Sequence, residues 1–289
     1  MNQAVAVDSA RRRPFVPFKG DVVSRVGAAL LLVLLGLGLL QPILPLGSTT
    51  ETVGGGLSAP STRWLFGTDE LGRSVLPRVA EGIRETVLLS TVAVLAATVS
   101  GVLLACFATY AGGKWDEFNI RVADVMFGFP VVLVAILMSA VAGPGPMVAI
   151  VAIFMVTLPT MIRVVRAAVV SLIERDFIVA AEIAGATRTR VVVRHLLPNL
   201  MGIVVVQAAY SLSLGMLLES GISFLGLGVQ PPSASLGSLV GSGRLYITTA
   251  PYYMIIPGIA LALAVLGVNL VGDGLQKTLD RASGGSEMA

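Results

Sequence analysis

Glu219 is the one carboxylate in the apolar stretch from Ile203 to Ile222, which also holds Gln207 and Tyr210. If that stretch crosses a membrane, a mid-span charge costs roughly 2.5–3.5 kcal/mol, so it should face a cavity or a partner group. Glu219 is therefore a candidate pathway or gate residue. The alternative places it near one end of the span, reaching headgroups or a loop arginine. Gln207, Tyr210 and Asn269 are further candidates for a polar pathway, or else for hydrogen bonds between helices. The chemistry of an enzyme is not in view. No carboxylate pair lies in the apolar stretches, no His/Asp/Glu cluster has metal-ligand spacing, and no nucleophile–base set emerges. Cys106 is the single cysteine and His195 the single histidine. A phosphate-binding loop needs Gly-Lys followed by Ser or Thr. Of Lys19, Lys114 and Lys277 only Lys114 follows a glycine, and Trp115 comes next. The chain is expected to hold no metal, no nucleotide and no other cofactor. The net charge of +3 reflects loop arginines and carries no nucleic-acid signal.

A second stretch, Arg175 to Pro198, is charged and punctuated by glycine between two apolar runs. Asp176 to Ala184 has no breaker and several alanines, which predicts a short helix. Gly185 can close it in a left-handed cap. Thr187 can cap a second helix that Pro198 stops. Phe177, Ala180, Ala181 and Ala184 share one face of the first helix. A face with an aromatic knob and little other bulk suits a groove on another protein; the alternative is a helix resting on headgroups.

The elements that position these residues follow from composition. Of 289 residues, 55% are hydrophobic and only 13% charged, about half the charged share of soluble domains. The apolar blocks are near the 20 residues that span a hydrocarbon core, and in lipid such blocks must be helices. Six spans are expected, at Val26–Leu46, Val87–Thr109, Val125–Ala142, Met147–Val165, Ile203–Ile222 and Met254–Val271. Pro130, Pro159 and Pro257 lie within spans and predict kinks. Arg11-Arg12-Arg13 before the first block faintly resembles an export signal, but that block is too long and lacks a small-residue cleavage site. It reads as a cytoplasmic anchor. Placing the N-terminus inside leaves five of the 20 basic residues outside (Arg63, Arg73, Arg78, Arg84 and Arg244) and fifteen within. The excess sets both termini in the cytoplasm. The division is then a cytoplasmic tail over 1–25, a membrane domain over 26–273 and a cytoplasmic tail over 274–289. Within the domain, outer loops cover 47–84 and 223–253, and a cytoplasmic loop covers 166–200. In the first outer loop Thr68 can cap a helix with Asp69 and Glu70 in its first turn. Leu71, Val75 and Val79 then form a stripe opposite Arg73 and Glu81, which predicts an amphipathic helix on the outer surface. Glu81 and Glu85 read as solvated, as do Asp273 and Asp280 with Lys277 and Arg281.

Four blocks carry a family resemblance. Ala180-Ala181, Gly185 and Leu196-Leu197-Pro198 resemble the cytoplasmic coupling loop of ABC-importer permeases, with Val179 where that pattern has Glu. Glu182 stands one turn on, with two readings open: it replaces the missing carboxylate, or that acidic contact is absent. Leu65-Phe66-Gly67-Thr68-Asp69-Glu70-Leu71-Gly72-Arg73-Ser74-Val75 resembles an outer block of dipeptide and oligopeptide permeases, with Ser74 where Asp is usual. Tyr110-Ala111-Gly112-Gly113, Asp124 and Phe129-Pro130 resemble a third block. Glu219-Ser220-Gly221-Ile222-Ser223-Phe224-Leu225-Gly226-Leu227-Gly228-Val229-Gln230-Pro231-Pro232 is similar to a long, specific block of the second (C-type) permease subunit. The similarity runs from about residue 63 to the last span.

The resemblance implies an all-α, six-span transmembrane domain of a type I ABC importer, in the bacterial cytoplasmic membrane. It implies a peptide cargo, whose amino group Glu219 could meet, or else nickel or another small cargo of the same family. The implied partners are a second, unlike permease, two ATPase subunits (or one fused pair) carrying Mg-ATP, an extracytoplasmic substrate-binding protein and the lipid bilayer. Phe177, Ile178, Ala180, Ala181, Glu182, Gly185, Ala186 and Thr187 would form the coupling loop to the ATPases. Thr68, Asp69, Glu70 and Arg73 would form an outer docking block. A rival of another class is a stand-alone secondary transporter or channel, which calls for inverted repeats or a proton relay; neither is evident.

Overall fold

The computed structural model describes residues 22–284, so the expectations for Arg11–Arg13 and Lys19 lie outside the described residues, as do those for the side chains of Asp280 and Arg281. Among the described residues there is no strand, only two isolated bridges, Thr52 with Arg73 and Thr68 with Ser74. The helices in chain order are α1 (Val22–Leu40), α2 (Val75–Ala111), α3 (Gly113–Gly128), α4 (Val131–Ala142), α5 (Pro146–Ile173), α6 (Asp176–Ile183), α7 (Arg188–Val191), α8 (Leu197–Phe224), α9 (Leu236–Gly243) and α10 (Tyr252–Gly284). Five helical runs are long and apolar enough to cross a membrane, one of them the continuous Arg188–Phe224; the bent pair α3–α4 brings the number to six if taken as one crossing.

α2 and α5 form the central pair, with α8 against both and α1 against α10. Small residues let them close up. A Cβ on Gly101 would stand 3.0 Å from Met161, and one on Gly27 would stand 2.5 Å from Leu270. Among the described residues four apolar clusters result, two of them large. One, at the end where α5 leads into α6, gathers Ala105, Met161, Ile162, Ile178, Val191 and Leu196. The other, beneath the loops at 41–74 and 225–251, gathers Val79, Ile83, Leu236, Leu239 and Tyr253. These are called below the elbow end and the loop end.

The structure corrects several expectations. The amphipathic surface helix after Thr68 does not form. The helix starts at Val75, after Ser74, and runs on as α2. Residues 67–74 are a tight loop in which Gly67 and Gly72 take φ of +75° and +74°. Arg73 and Glu81 are buried, not solvated. The third span is not one helix: it breaks at Phe129–Pro130, where α3 and α4 meet at 83°. Pro198 does not stop a helix either. It sits in the first turn of α8, and its missing N–H is absorbed by a π-helical turn over Val192–Leu196. The last helix runs unbroken from Tyr252 to Gly284, so the tail after Val271 is helical, as its four-residue charge spacing suggests.

Candidate functional site

The elbow between α5 and α8 is built as its residue types dictate. Asp176 occupies the first turn of α6, where an acidic side chain favours the helix dipole. At the far end the Ala186 N–H donates to the Ala181 carbonyl at 3.0 Å and the Gly185 N–H to that of Glu182 at 2.9 Å. This paired closure requires a left-handed residue, and Gly185 has φ +81°. The Thr187 hydroxyl then accepts from the Arg190 N–H, capping α7. α6 is held to the bundle by Ile178, fully buried in the elbow-end core, with Ala186 packed against the same core. Phe177, Ala180 and Ala184 face outward, Ala181 is half-buried, and Val179 and Ile183 are also exposed. The small, knobbed face predicted from spacing is therefore open. Ile178 and Ala186 are not on it; they are the anchor.

Glu182 accepts a hydrogen bond from the Tyr110 hydroxyl at the end of α2, so within this chain its carboxylate is engaged rather than free. Next to it, Arg166 of α5 grips Asp116 of α3 through Nε at 2.9 Å and a terminal nitrogen at 2.7 Å. The Thr109 hydroxyl adds a third donor at 2.9 Å. This two-pronged pair, 50 residues apart in sequence, left no local signal beyond the Tyr110–Gly113 block beside it.

Glu219 is fully buried near the C-terminal end of α8. Its carboxylate accepts from Thr86 at 2.8 Å, Ser223 at 2.7 Å and Ser220 at 3.3 Å. Thr86 in turn accepts from the Leu236 N–H, and Ser223 from the Val229 N–H. One carboxylate thus ties α2, α8 and the segment leading into α9. Within this chain its side chain is enclosed by these partners and leaves no exposed surface. The other pathway candidates are elsewhere. Tyr210, about 13 Å along α8 by helical rise, donates to Asp273 of α10 at 2.7 Å, so Asp273 is a helix–helix partner rather than part of a purely solvated face. The Gln207 amide lies 3.4 Å from Ser211, and Asn269 is half-buried on α10. The structure does not bring these four together.

At the loop end, Asp69 is fully buried. It accepts from the N–H groups of Leu71 and Arg73, both at 2.9 Å, and from Arg73 Nε at 2.6 Å. Arg78 Nε stands 3.4 Å away. The buried Thr68 hydroxyl donates to the Gly55 carbonyl and accepts from the Ser58 N–H. Tyr252 of α10 donates to the Ser58 carbonyl. Thr68 and Asp69 therefore knot this loop internally and offer no docking surface; of the four residues of the block, Glu70 is the one left half-exposed. Among the described residues no group of His, Cys, Asp and Glu is arranged to hold a metal ion.

The comparisons with known proteins bear on this geometry. Residues 97–284 match the family described as binding-protein-dependent transport system inner membrane component. The chain is 38% identical over 224 residues, 78% of its length and 74% of the relative's, to the di/tripeptide transport system permease protein DppC of Pseudomonas aeruginosa. It is 34% identical over 270 residues, 93% of its length and 89% of the relative's, to the dipeptide transport system permease protein DppC of Alkalihalophilus pseudofirmus. It is 34% identical over 231 residues, 80% and 78% of the two chains, to a protein named as a probable D,D-dipeptide transport system permease, DdpC, of Escherichia coli. With a helical membrane bundle interrupted by an exposed elbow, and a family match over most of its length, the chain belongs to the binding-protein-dependent transport system inner membrane components.

Proposed function

We propose that this chain is one of two unlike permease subunits of an ATP-driven importer of dipeptides or oligopeptides, with both termini in the cytoplasm. The names of its relatives support the cargo, and the family supports the architecture. Two ATPase subunits bind Mg-ATP and dock at the elbow, and an extracytoplasmic binding protein delivers the peptide at the loop end. The observation that carries the reading is the α6–Gly185–α7 elbow. Its outward face is small and apolar around Phe177, its inward side is pinned by Ile178, and its shape is fixed by a glycine closure. A rigid elbow with an open face transmits a push instead of absorbing it. ATP-driven closure of the ATPase pair then moves the elbow and turns the bundle from inward- to outward-facing.

The test is Gly185→Val in the complete transporter. No atom crowds this position, so the effect is confined to the backbone. A branched residue resists the left-handed conformation by roughly 1–2 kcal/mol and reshapes the elbow. The expected result is ATP hydrolysis that persists while peptide uptake per ATP falls several-fold. Wild-type coupling in this variant would remove the elbow as the point of energy transfer.

A further inference from the structure

α3 sorts its residues into three faces. Asn119 and Ala123 are buried against the bundle, the side from which Asp116 meets Arg166. Trp115, Phe118, Val122 and Val125, with Phe129 just past the helix end, are all exposed; Trp115 is 70% and Phe118 and Val125 63% accessible. Their spacing of three and four residues makes one apolar stripe. Glu117, Arg121 and Asp124 recur at the same spacing and are likewise exposed, on a separate stripe. Arg121 pairs with Glu117 at 2.5 Å, and Asp124 with Arg163 of α5 at 2.5 Å, both pairs open to the surface.

An upright helix bordered by lipid would drag that charged stripe into hydrocarbon, at roughly 2.5–3.5 kcal/mol for each charge at the centre. α3 meets α5 through the pairs Asp116–Arg166 and Asp124–Arg163. It turns by 83° before α4, which is apolar except for Ser139, so the two helices cannot both stand upright in one bilayer.

We infer that α3 lies in the plane of the membrane interface at the elbow end. Its 115/118/122/125/129 stripe sits in the acyl boundary and its Glu117/Arg121/Asp124 stripe faces water, so that α4 alone makes the third crossing. The occupant of the apolar stripe is lipid. The one hydrogen-bonding group of the stripe is the Trp115 indole N–H, and Lys114 and Arg121 stand beside the stripe; an aromatic ring with a polar edge and neighbouring basic side chains seat helices at headgroup level. The lengths agree as well. The twelve residues of α4 reach about 18 Å, short of a core of about 30 Å. An interfacial helix sunk by about 5–10 Å brings the two within a few ångströms.

The test reads depth residue by residue in the complete transporter, reconstituted in phosphatidylcholine–phosphatidylglycerol vesicles. Trp115→Cys, Phe118→Cys, Val122→Cys and Val125→Cys, each in a Cys106→Ala background, carry a nitroxide. Depth is taken from collision with oxygen against a water-soluble nickel chelate. The expected result is one shallow depth for all four, with Glu117→Cys and Arg121→Cys open to the chelate. A depth that grows by about 1.5 Å per residue, some 15 Å over the stripe, marks an upright span and overturns the inference. Immobile labels closed to both reagents mark a protein-covered face and overturn it equally. If Cys106→Ala impairs assembly, Val125→Trp in a Trp64→Phe, Trp115→Phe background with brominated lipids asks the same question. Strongest quenching by bromines near the headgroup supports the interfacial helix; strongest quenching at the chain ends refutes it.

Discussion

Glu219 and Asp69 are both carboxylates sealed inside a membrane protein, and each is stabilised differently. Asp69 has its main partner four residues away in Arg73, within the same loop, so its setting was partly legible in the Thr68–Arg73 motif. Its burial was not, because the Gly55–Ser58 loop, which bonds Thr68 and the Asp69 backbone, lies ten or more residues off. Glu219 was legible as a lone charge in an apolar run, but its cage was not. Thr86 is 133 residues distant, and hydroxyls near a span carry no pattern that names their acceptor. The cage gives a sharp expectation. Glu219→Gln keeps the volume but puts an amide NH2 donor where one carboxyl oxygen accepts from the hydroxyls of Thr86, Ser220 or Ser223, and a buried hydrogen bond left unmade costs roughly 1–3 kcal/mol. The purified complex should therefore assemble but denature at lower temperature and import less peptide. Glu219→Ala, which strands the hydroxyls, should lower the denaturation temperature further. Unchanged melting together with unchanged uptake at low peptide would show that the cage does no more than fill space.

At the scale of elements, what was legible is what is decided locally. The α6–α7 elbow follows from Asp176, Gly185 and Thr187 within a dozen residues, and it formed as read. The third span misled because hydropathy counts apolar residues without regard to their face. Val125, Phe127 and Phe129 extend the apolar block of α4 backwards into a helix that points elsewhere. Pro130 was read as a kink when it marks a break. Pro198 erred in the opposite sense, since a proline in a first turn is compatible with a helix that runs through it once a π-helical turn takes up the register. The docking of α9 on α8 was also hidden, because it rests on backbone meeting backbone. A Cβ on Gly237 would come within 2.1 Å of the Ser220 carbonyl oxygen, whereas one on Gly221 meets nothing. Gly237→Ala should therefore lift α9 from α8, expose segment 225–251 to protease added at the loop end, and reduce uptake. Gly221→Ala should leave both unchanged, and equal protease resistance in the two variants would contradict the packing.

At the scale of the whole molecule, the bundle leaves a mixed apolar and charged surface open at the elbow end. The elbow leaves Phe177, Val179 and Ile183 exposed, Ile183 at 83%, on the same side as the charged faces of α3 and α5. Under the proposed function energy enters from a partner, and the elbow is where this mixed surface offers one an apolar hold. Extraction of the tagged chain from its native membrane in mild detergent should recover a P-loop ATPase and a second, unlike permease in comparable amounts. The ATPase should be lost on Phe177→Asp, because a carboxylate cannot be buried unpaired in an apolar groove, while the second permease stays bound. Two different recoveries would separate the errors. Loss of both partners in Phe177→Asp would mean that the elbow holds the assembly as a whole. Recovery of the unaltered chain alone, or only with copies of itself, would return it to the class of stand-alone transporters and leave α6 as a helix resting on headgroups.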